Sequence, residues 1–347
     1  MTDSKLPGSV PATEPVEISN GLSLTPRMKL LLEVHRADAT VSLLDEWKLK
    51  RSLIDFLKTS FSHSIIVPEE DLIIKRFRDI KKRKRDDPVA HGSLFLRDLG
   101  FVKACGKIKN LGQDEEEDIV VALGKKFLEW RNMLVGKMDG MEVNLAGVRF
   151  RLSVSVPFSD DFERMNKEWE EFFAFGGTRG YSRGAKQEPD TIIISGLPSR
   201  WFAEPRVSSK PSMLVTHTIF STLGKIRNLN VVEDDDLGKD ADEENGGIAA
   251  GLQCKIVVQF ERYKDFYNAL NILCSRSLLK EGSRLKSDYE VTWDKGNFFK
   301  NARNLPQEKS VRKSATGPGQ HRNDTLTWHA HASRDGPNNA RTKRFKE

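Results

Sequence analysis

The strongest constraint on the fold lies between residues 189 and 294, where four short apolar stretches alternate with two stretches at helical spacing. TIIISGLP (Thr191 to Pro198) reads as a buried strand ended by turn residues. Pro211 to Leu223 follows as a helix, with Met213, Leu214, Phe220 and Leu223 apolar and Gly224 at the C-terminal cap position. Ile226 to Val232 is a second strand, Leu252 to Phe260 a third and Tyr289 to Trp293 a fourth. Between the last two, Tyr263, Phe266, Tyr267, Leu270 and Leu273 fall on one side of a helix. A βαββαβ order over about 100 residues is the ferredoxin-like arrangement, so the expected class is α+β.

Upstream the pattern is weaker. Residues 1–25 are rich in Pro, Ser, Thr and Gly and read as a disordered lead. Residues 26–157 read as a degenerate α/β unit whose strand and helix order allows the same topology. A strand at Met28 to Val34 precedes a helix from Trp47 to Thr59, carrying Trp47, Leu53, Ile54 and Leu57. Ser64 to Val67 reads as a short strand, Leu72 to Arg85 as a helix, Gly100 to Ile108 as a strand and Ile119 to Leu134 as a helix. In VRFRLSVSV, Val148, Phe150, Leu152, Val154 and Val156 alternate with polar residues, the mark of a strand with one buried face. Residues 158–188 form a connection: an amphipathic helix at 160–175, capped by Ser159 or Asp160, then a Gly/Arg-rich hinge. Residues 189–299 are the patterned domain, and 300–347 read as a basic disordered tail.

Charge sharpens this division. The chain of 347 residues has a formal charge of +6. Residues 301–347 hold ten Lys or Arg against four Asp or Glu, so the tail accounts for the whole excess and the remainder is neutral. No apolar run approaches the roughly 20 residues that span a bilayer, and the N-terminus lacks the apolar centre of a signal peptide. Three widely spaced cysteines argue against a disulfide framework or a zinc ribbon and for a reducing compartment. The expectation is a soluble intracellular chain without membrane partners.

Ile192, Gly196, Leu197, Phe220, Gly224, Ile226, Phe260 and Ala269 occupy positions typical of an RNA recognition motif. PDTIIISGLPSRWF (Pro189 to Phe202) with FSTLGKIRNLNV (Phe220 to Val231) more specifically resembles the A-kinase anchor protein 17A family, nuclear splicing-related proteins with one such motif. The resemblance covers roughly residues 140–300. It implies a nuclear location, RNA and splicing-related proteins as partners, and anchoring of protein kinase A regulatory subunits. The family anchors the kinase through amphipathic helices in a charged extension, whereas the tail here has no periodic apolar positions. An RNA recognition motif stacks bases on aromatic residues of its first and third strands. Those platform positions fall here on Ile193, Lys255 and Val257, with Gln253, Cys254 and Gln259 beside them. Stacking contributes about 1–3 kcal/mol per base, so RNA contact should be weak and mainly electrostatic. Lys255, and Tyr289 and Trp293 of the fourth strand, are the candidates to compensate.

Other motifs add less. KKRKR (Lys81, Lys82, Arg83, Lys84, Arg85) has the form of a nuclear localisation signal or a nucleic-acid patch, partly neutralised by Asp86 and Asp87. Trp201 and Phe202 are expected to cover the edge of the core. His329 and His331 lack partners at metal spacing. With no phosphate-binding loop, metalloprotease motif or nucleophile elbow, neither an enzyme nor a cofactor or metal site is expected. The sequence thus favours a nuclear RNA-processing accessory protein. Its alternative is a protein-interaction scaffold whose sheet or helix face binds a partner, with kinase anchoring as the resemblance implies.

Overall fold

The computed structural model describes residues 11–37, 44–61, 65–77, 84, 86–100, 102, 116–174, 188–204, 206–207, 209–233, 253–282 and 285–299. The hinge, most of the expected 100–108 strand and the tail lie outside them. Two short strands, β1 (Val16–Ile18) and β2 (Leu22–Pro26), come first. Then follow β3 (Met28–Arg36), α1 (Glu46–Ser60), β4 (Leu72–Arg76), β5 (Ala90–Leu96), α2 (Glu116–Met138), β6 (Glu142–Leu145) and β7 (Val148–Ser155). These strands form an antiparallel five-stranded sheet in the order β4-β5-β3-β7-β6. Its inner face supplies Leu30, Leu32, Leu94, Phe150 and Leu152, which pack with Leu49, Leu53 and Leu57 of α1 and Phe127 and Leu134 of α2.

The second half runs α3 (Phe162–Ala174), β8 (Thr191–Pro198), α4 (Met213–Phe220), β9 (Ile226–Glu233), β10 (Gln253–Phe260), α5 (Tyr263–Leu273), β11 (Arg276–Lys280), β12 (Lys286–Ser287) and β13 (Glu290–Trp293). Four strands pair antiparallel in the order β13-β8-β10-β9. In both sheets the first strand of its half, β3 or β8, lies between the third and the last. Ile192, Ile194, Ile256, Val258 and Phe260 form a second core with Phe220, Phe266, Ala269 and Leu270. Trp169 of α3 enters this core between Phe266 and Trp293. The molecule is therefore mixed α and β with antiparallel sheets, the class expected.

Several elements differ from the sequence expectation. Leu72 to Arg76 is a strand rather than the start of a helix, because its buried positions alternate and it pairs with β5 over its whole length. Residues 65–68 carry no strand, although Ile65 and Val67 are buried. Trp47 points outward, half exposed with Arg51 over its ring, and Leu49 takes its place on the buried stripe. β5 escaped notice because Gly92 and Ser93 break its apolar run. Gly92 is required there: a Cβ would lie 2.2 Å from the Ile73 carbonyl oxygen across the β4–β5 pair.

The lead expected to be disordered contributes two strands. β1 and β2 join β11 and β12 in a separate sheet, in the order β1-β2-β11-β12. The alternating pair Leu22 and Leu24 is buried in the second core, and β11 satisfies the β2 backbone. Its Pro- and Ser-rich flanks conceal this pattern in the sequence.

Just after β2, Arg27 is wholly buried and binds both halves of the chain. Its Nη1 donates to Asp160 Oδ2 at 2.6 Å, its Nη2 to the Tyr289 carbonyl at 3.3 Å, and its Nε lies 3.1 Å from Asp288. Arg97 completes the cluster, donating to Asp71 at 2.7 Å and to Asp288 at 2.8 Å. Burial pushes the Asp160 carboxyl above its ordinary value, against the pull of Arg27 and Lys29. Burial also acts to raise Asp288, but hydrogen bonds from Arg97 and Ser277 and the charges of Arg27 and Arg97 outweigh it and hold that carboxyl low. Asp160 is thus an ion-pair partner inside a 3₁₀ turn (Phe158–Asp160), and α3 begins only at Phe162.

Candidate nucleic-acid interface

The second sheet presents its helices on one face and polar residues on the other. Strand alternation places Thr191, Ile193 and Ser195 of β8, Lys255, Val257 and Gln259 of β10, Asn228 and Asn230 of β9, and Thr292 of β13 on the side away from the core. Thr292, Ile193, Val257 and Asn230 form one cross-strand row at its centre. Four of the six candidate residues, Ile193, Lys255, Val257 and Gln259, are therefore brought together on one face. Ile193 and Lys255 are partly exposed, whereas Val257 carries no accessible surface and Gln259 is 9% exposed.

Gln259 is held by its neighbours. Its Nε2 donates to Asp190 at 2.8 Å, and its carbonyl oxygen accepts from Asn228 Nδ2. Asp190 also accepts from the Thr191 hydroxyl at 2.7 Å and lies 3.5 Å from Arg227. One edge of the face is thus a closed amide–carboxylate network. Beyond it, Lys255 is a part-exposed cation of the face, and Glu290 at the β13 edge lies 3.8 Å from Lys29.

Tyr289 and Trp293 are corrections. Tyr289 is 3% exposed, donates its hydroxyl to the Leu273 carbonyl at 2.9 Å and has its pKa raised well above the phenol value by burial. Trp293, opposite Ile192, is 2% exposed and packs against Trp169, Phe172 and Phe173. Its indole nitrogen donates to Glu168 at 3.0 Å. Alternation along Glu290–Trp293 puts Val291 and Trp293 on the core side, so neither aromatic is available to a base. Phe202 stacks on Phe220 with ring centroids 6.1 Å apart, covering the core edge as expected.

Sequence reading missed Asn228, Asn230, Thr292 and Asp190; the alternation in IRNLNVVE was the signal that could have placed the two asparagines. Of the basic run, Lys81, Lys82, Arg83 and Arg85 lie outside the described residues, and Lys84 follows with its amide donating to Asp87 at 3.0 Å. His329 and His331 also lie outside them. Among the described residues no group of three or more His, Cys, Asp or Glu is placed to hold a metal ion, and no helix is long and apolar enough to cross a membrane.

The face belongs to a chain segment with recognisable relatives. Residues 125–327, spanning both strands of the β6–β7 hairpin and the whole second sheet, match the family model described as AKAP-17A-like, RNA-binding domain. The chain is similar to human A-kinase anchor protein 17A, with 27% identity over 173 residues. That alignment takes in 48% of this chain and 25% of the relative, so the chain spans about a quarter of the protein it matches. With more than half its length under the family model, and with the sheet and helices that the matched segment builds, the chain belongs to the AKAP-17A-like RNA-binding domain family.

Proposed function

We propose that the chain is a nuclear, splicing-related RNA-binding accessory protein, and that β8 to β13 form an RNA-recognition-motif-like domain within 189–299. The observation that carries this reading is the RNA-binding family model lying over the whole four-stranded sheet, whose face away from the helices sets Lys255, Gln259, Asn228 and Asn230 around Ile193 and Val257. The central row of Ile193 and Val257 has no ring on which a base could stack, so contact with RNA is weak and mainly electrostatic. Residues 26–157 are then a second unit, 158–188 the connection, and 300–347 a basic tail that adds cations along the phosphates.

Fluorescence anisotropy of the full chain with a mixed-sequence single-stranded RNA tests this. Binding is expected at low salt and should weaken steeply as salt rises. A chain ending at Ala302 should show a shallower slope, by about 0.7 for each phosphate that the tail neutralises. Lys255→Glu should weaken binding several-fold. No binding by the full chain at low salt would end the RNA reading.

The nuclear location rests on the family and on the run at 81–85. Alanine at all five positions is expected to move the protein to the cytoplasm, as seen by fluorescence microscopy of a tagged chain; unchanged nuclear signal would discard the import role. A protein-binding role has one observation in its favour. Val207, Met213 and Leu214, at and before the start of α4, are 76%, 49% and 70% exposed. Kinase anchoring is said in the name of the human relative, and this chain aligns with a quarter of it.

A further inference from the structure

The five-stranded sheet also has a face turned away from its helices, and its chemistry differs from that of the second sheet. Alternation puts Ile73 and Lys75 of β4, His91 and Ser93 of β5, Leu31, Glu33 and His35 of β3, and Arg149 and Arg151 of β7 on that side. Lys75, His91, Arg149 and Arg151 are exposed, and Ile73 is 42% exposed. Phe77, continuing the same alternation beyond β4, lies against the His91 imidazole with ring centroids 4.8 Å apart. Two rings therefore stand beside Lys75 at one end of the face. Toward β7, at the same end of the strands, a cleft is lined by His35, Arg36, Asp86, Asp139, Arg151 and Ser153, and the Arg36 Nε there is buried without a hydrogen-bond partner among the described residues.

We propose that this outer face of the first sheet is the main seat of single-stranded RNA, with the second sheet making the weaker contact. The inference deepens the reading of the chain as an RNA-binding protein and rests on it. Three elements that RNA without sequence preference requires are present together. Aromatic rings receive a base, cations follow the backbone, and an open sheet gives the strand a path between them. Lys75, Arg149 and Arg151 stand on this face beside Glu33 and Glu142, with Glu142 3.8 Å from Arg149, whereas the outer face of the second sheet carries Lys255, Arg227 being 3.5 Å from Asp190 and Lys29 3.8 Å from Glu290 at its edges. The rings Phe77 and His91 have no counterpart among Ile193, Val257 and Thr292. The family model begins at residue 125, so β3, β4 and β5 lie outside it.

The full chain, titrated with the same single-stranded RNA over a salt series, tests the proposal. Lys75→Gln with Arg151→Gln should make the slope of log K against log salt shallower by about 1.4, two phosphates at about 0.7 each. Phe77→Ala with His91→Ala should weaken binding by about 5-fold or more with little change in slope. Lys264→Gln, an exposed change on α5, serves as the charge control. Denaturation midpoints identify any variant that has lost its fold, and the conservative Phe77→Tyr should retain binding. If the wild-type chain binds RNA and both double variants bind equally well, the first sheet is not the seat, while the RNA reading stands. If the wild-type chain binds no RNA, the parent reading fails and takes this proposal with it. Poly-glutamate that binds the wild type and is lost in these variants, with RNA binding unchanged, would assign the face to an acidic protein partner and overturn the proposal.

Discussion

Replacing Trp169 by alanine is expected to destabilise the protein by about 3–5 kcal/mol, read as a lower denaturant midpoint. The side chain is 2% exposed and is ringed by Phe162, Phe266, Tyr267 and Trp293 at centroid distances of 5.6 to 6.4 Å, all edge-on. Each such pair adds about 0.5–1.5 kcal/mol beyond the area it buries. Trp169 and Met165 are the buried residues of α3, so the truncation removes the main anchor of that helix. Trp169→Phe keeps a ring in the site and should cost less. A loss below about 1 kcal/mol for the alanine variant would mean that α3 is dispensable to the second core.

Arg27→Met should cost a similar amount at neutral pH, about 3–5 kcal/mol, because it leaves Asp160 buried without its main counter-charge. The double variant Arg27→Met with Asp160→Leu should recover much of that loss, since no carboxylate then needs solvation in the interior. The pH dependence follows from the Asp160 carboxyl. Its folded-state pKa is raised, so its contribution is fully present below the unfolded value near 3.9 and is lost as pH rises through the folded one. Removing Arg27 takes away an interaction that lowers this pKa and raises it further. The deficit of Arg27→Met should therefore be smaller at acidic than at neutral pH, because acid neutralises Asp160. Asp288 works in the opposite direction: its pKa is held low, so its stabilisation fades as pH falls through the folded value. Arg97 still holds it when Arg27 is gone. Urea titrations of wild type and variant at the two pH values would refute the account if the gap widened in acid.

Much of the second half was legible in the sequence because its signals are local. TIIISGLP and QCKIVVQF are continuous enough to read as buried strands, and α5 shows its stripe over three turns. β7 declared itself through strict alternation. What stayed hidden depends on distant partners. β4 has five residues, too few to separate a strand from a helix, and only its pairing with β5 decides it. β11 carries Arg276 and Ser277 fully inside, where Arg276 donates to the carbonyls of Pro11 and Ile272. Polar residues in that position read as a loop until those partners are known. At the candidate face, the platform positions on β8 and β10 were readable from the resemblance. The direction of Tyr289 and Trp293 was not, because an aromatic residue near the end of a strand fits either face.

The sheet that joins the lead to β11 bears on how the chain is made. Thr25 donates to the Ser277 carbonyl across a sequence separation of 252 residues. A ribosome releases the first of these long before the second, at about 5–20 residues per second. β2 must therefore remain unpaired along one edge for roughly ten seconds or more of synthesis. The first sheet can close in that interval, whereas the Arg27 cluster and the sheet beside it can close only after residue 289 has emerged. Emergence of Asp288 and Tyr289, rather than any earlier step of synthesis, is then the moment at which the two halves of the molecule are fastened.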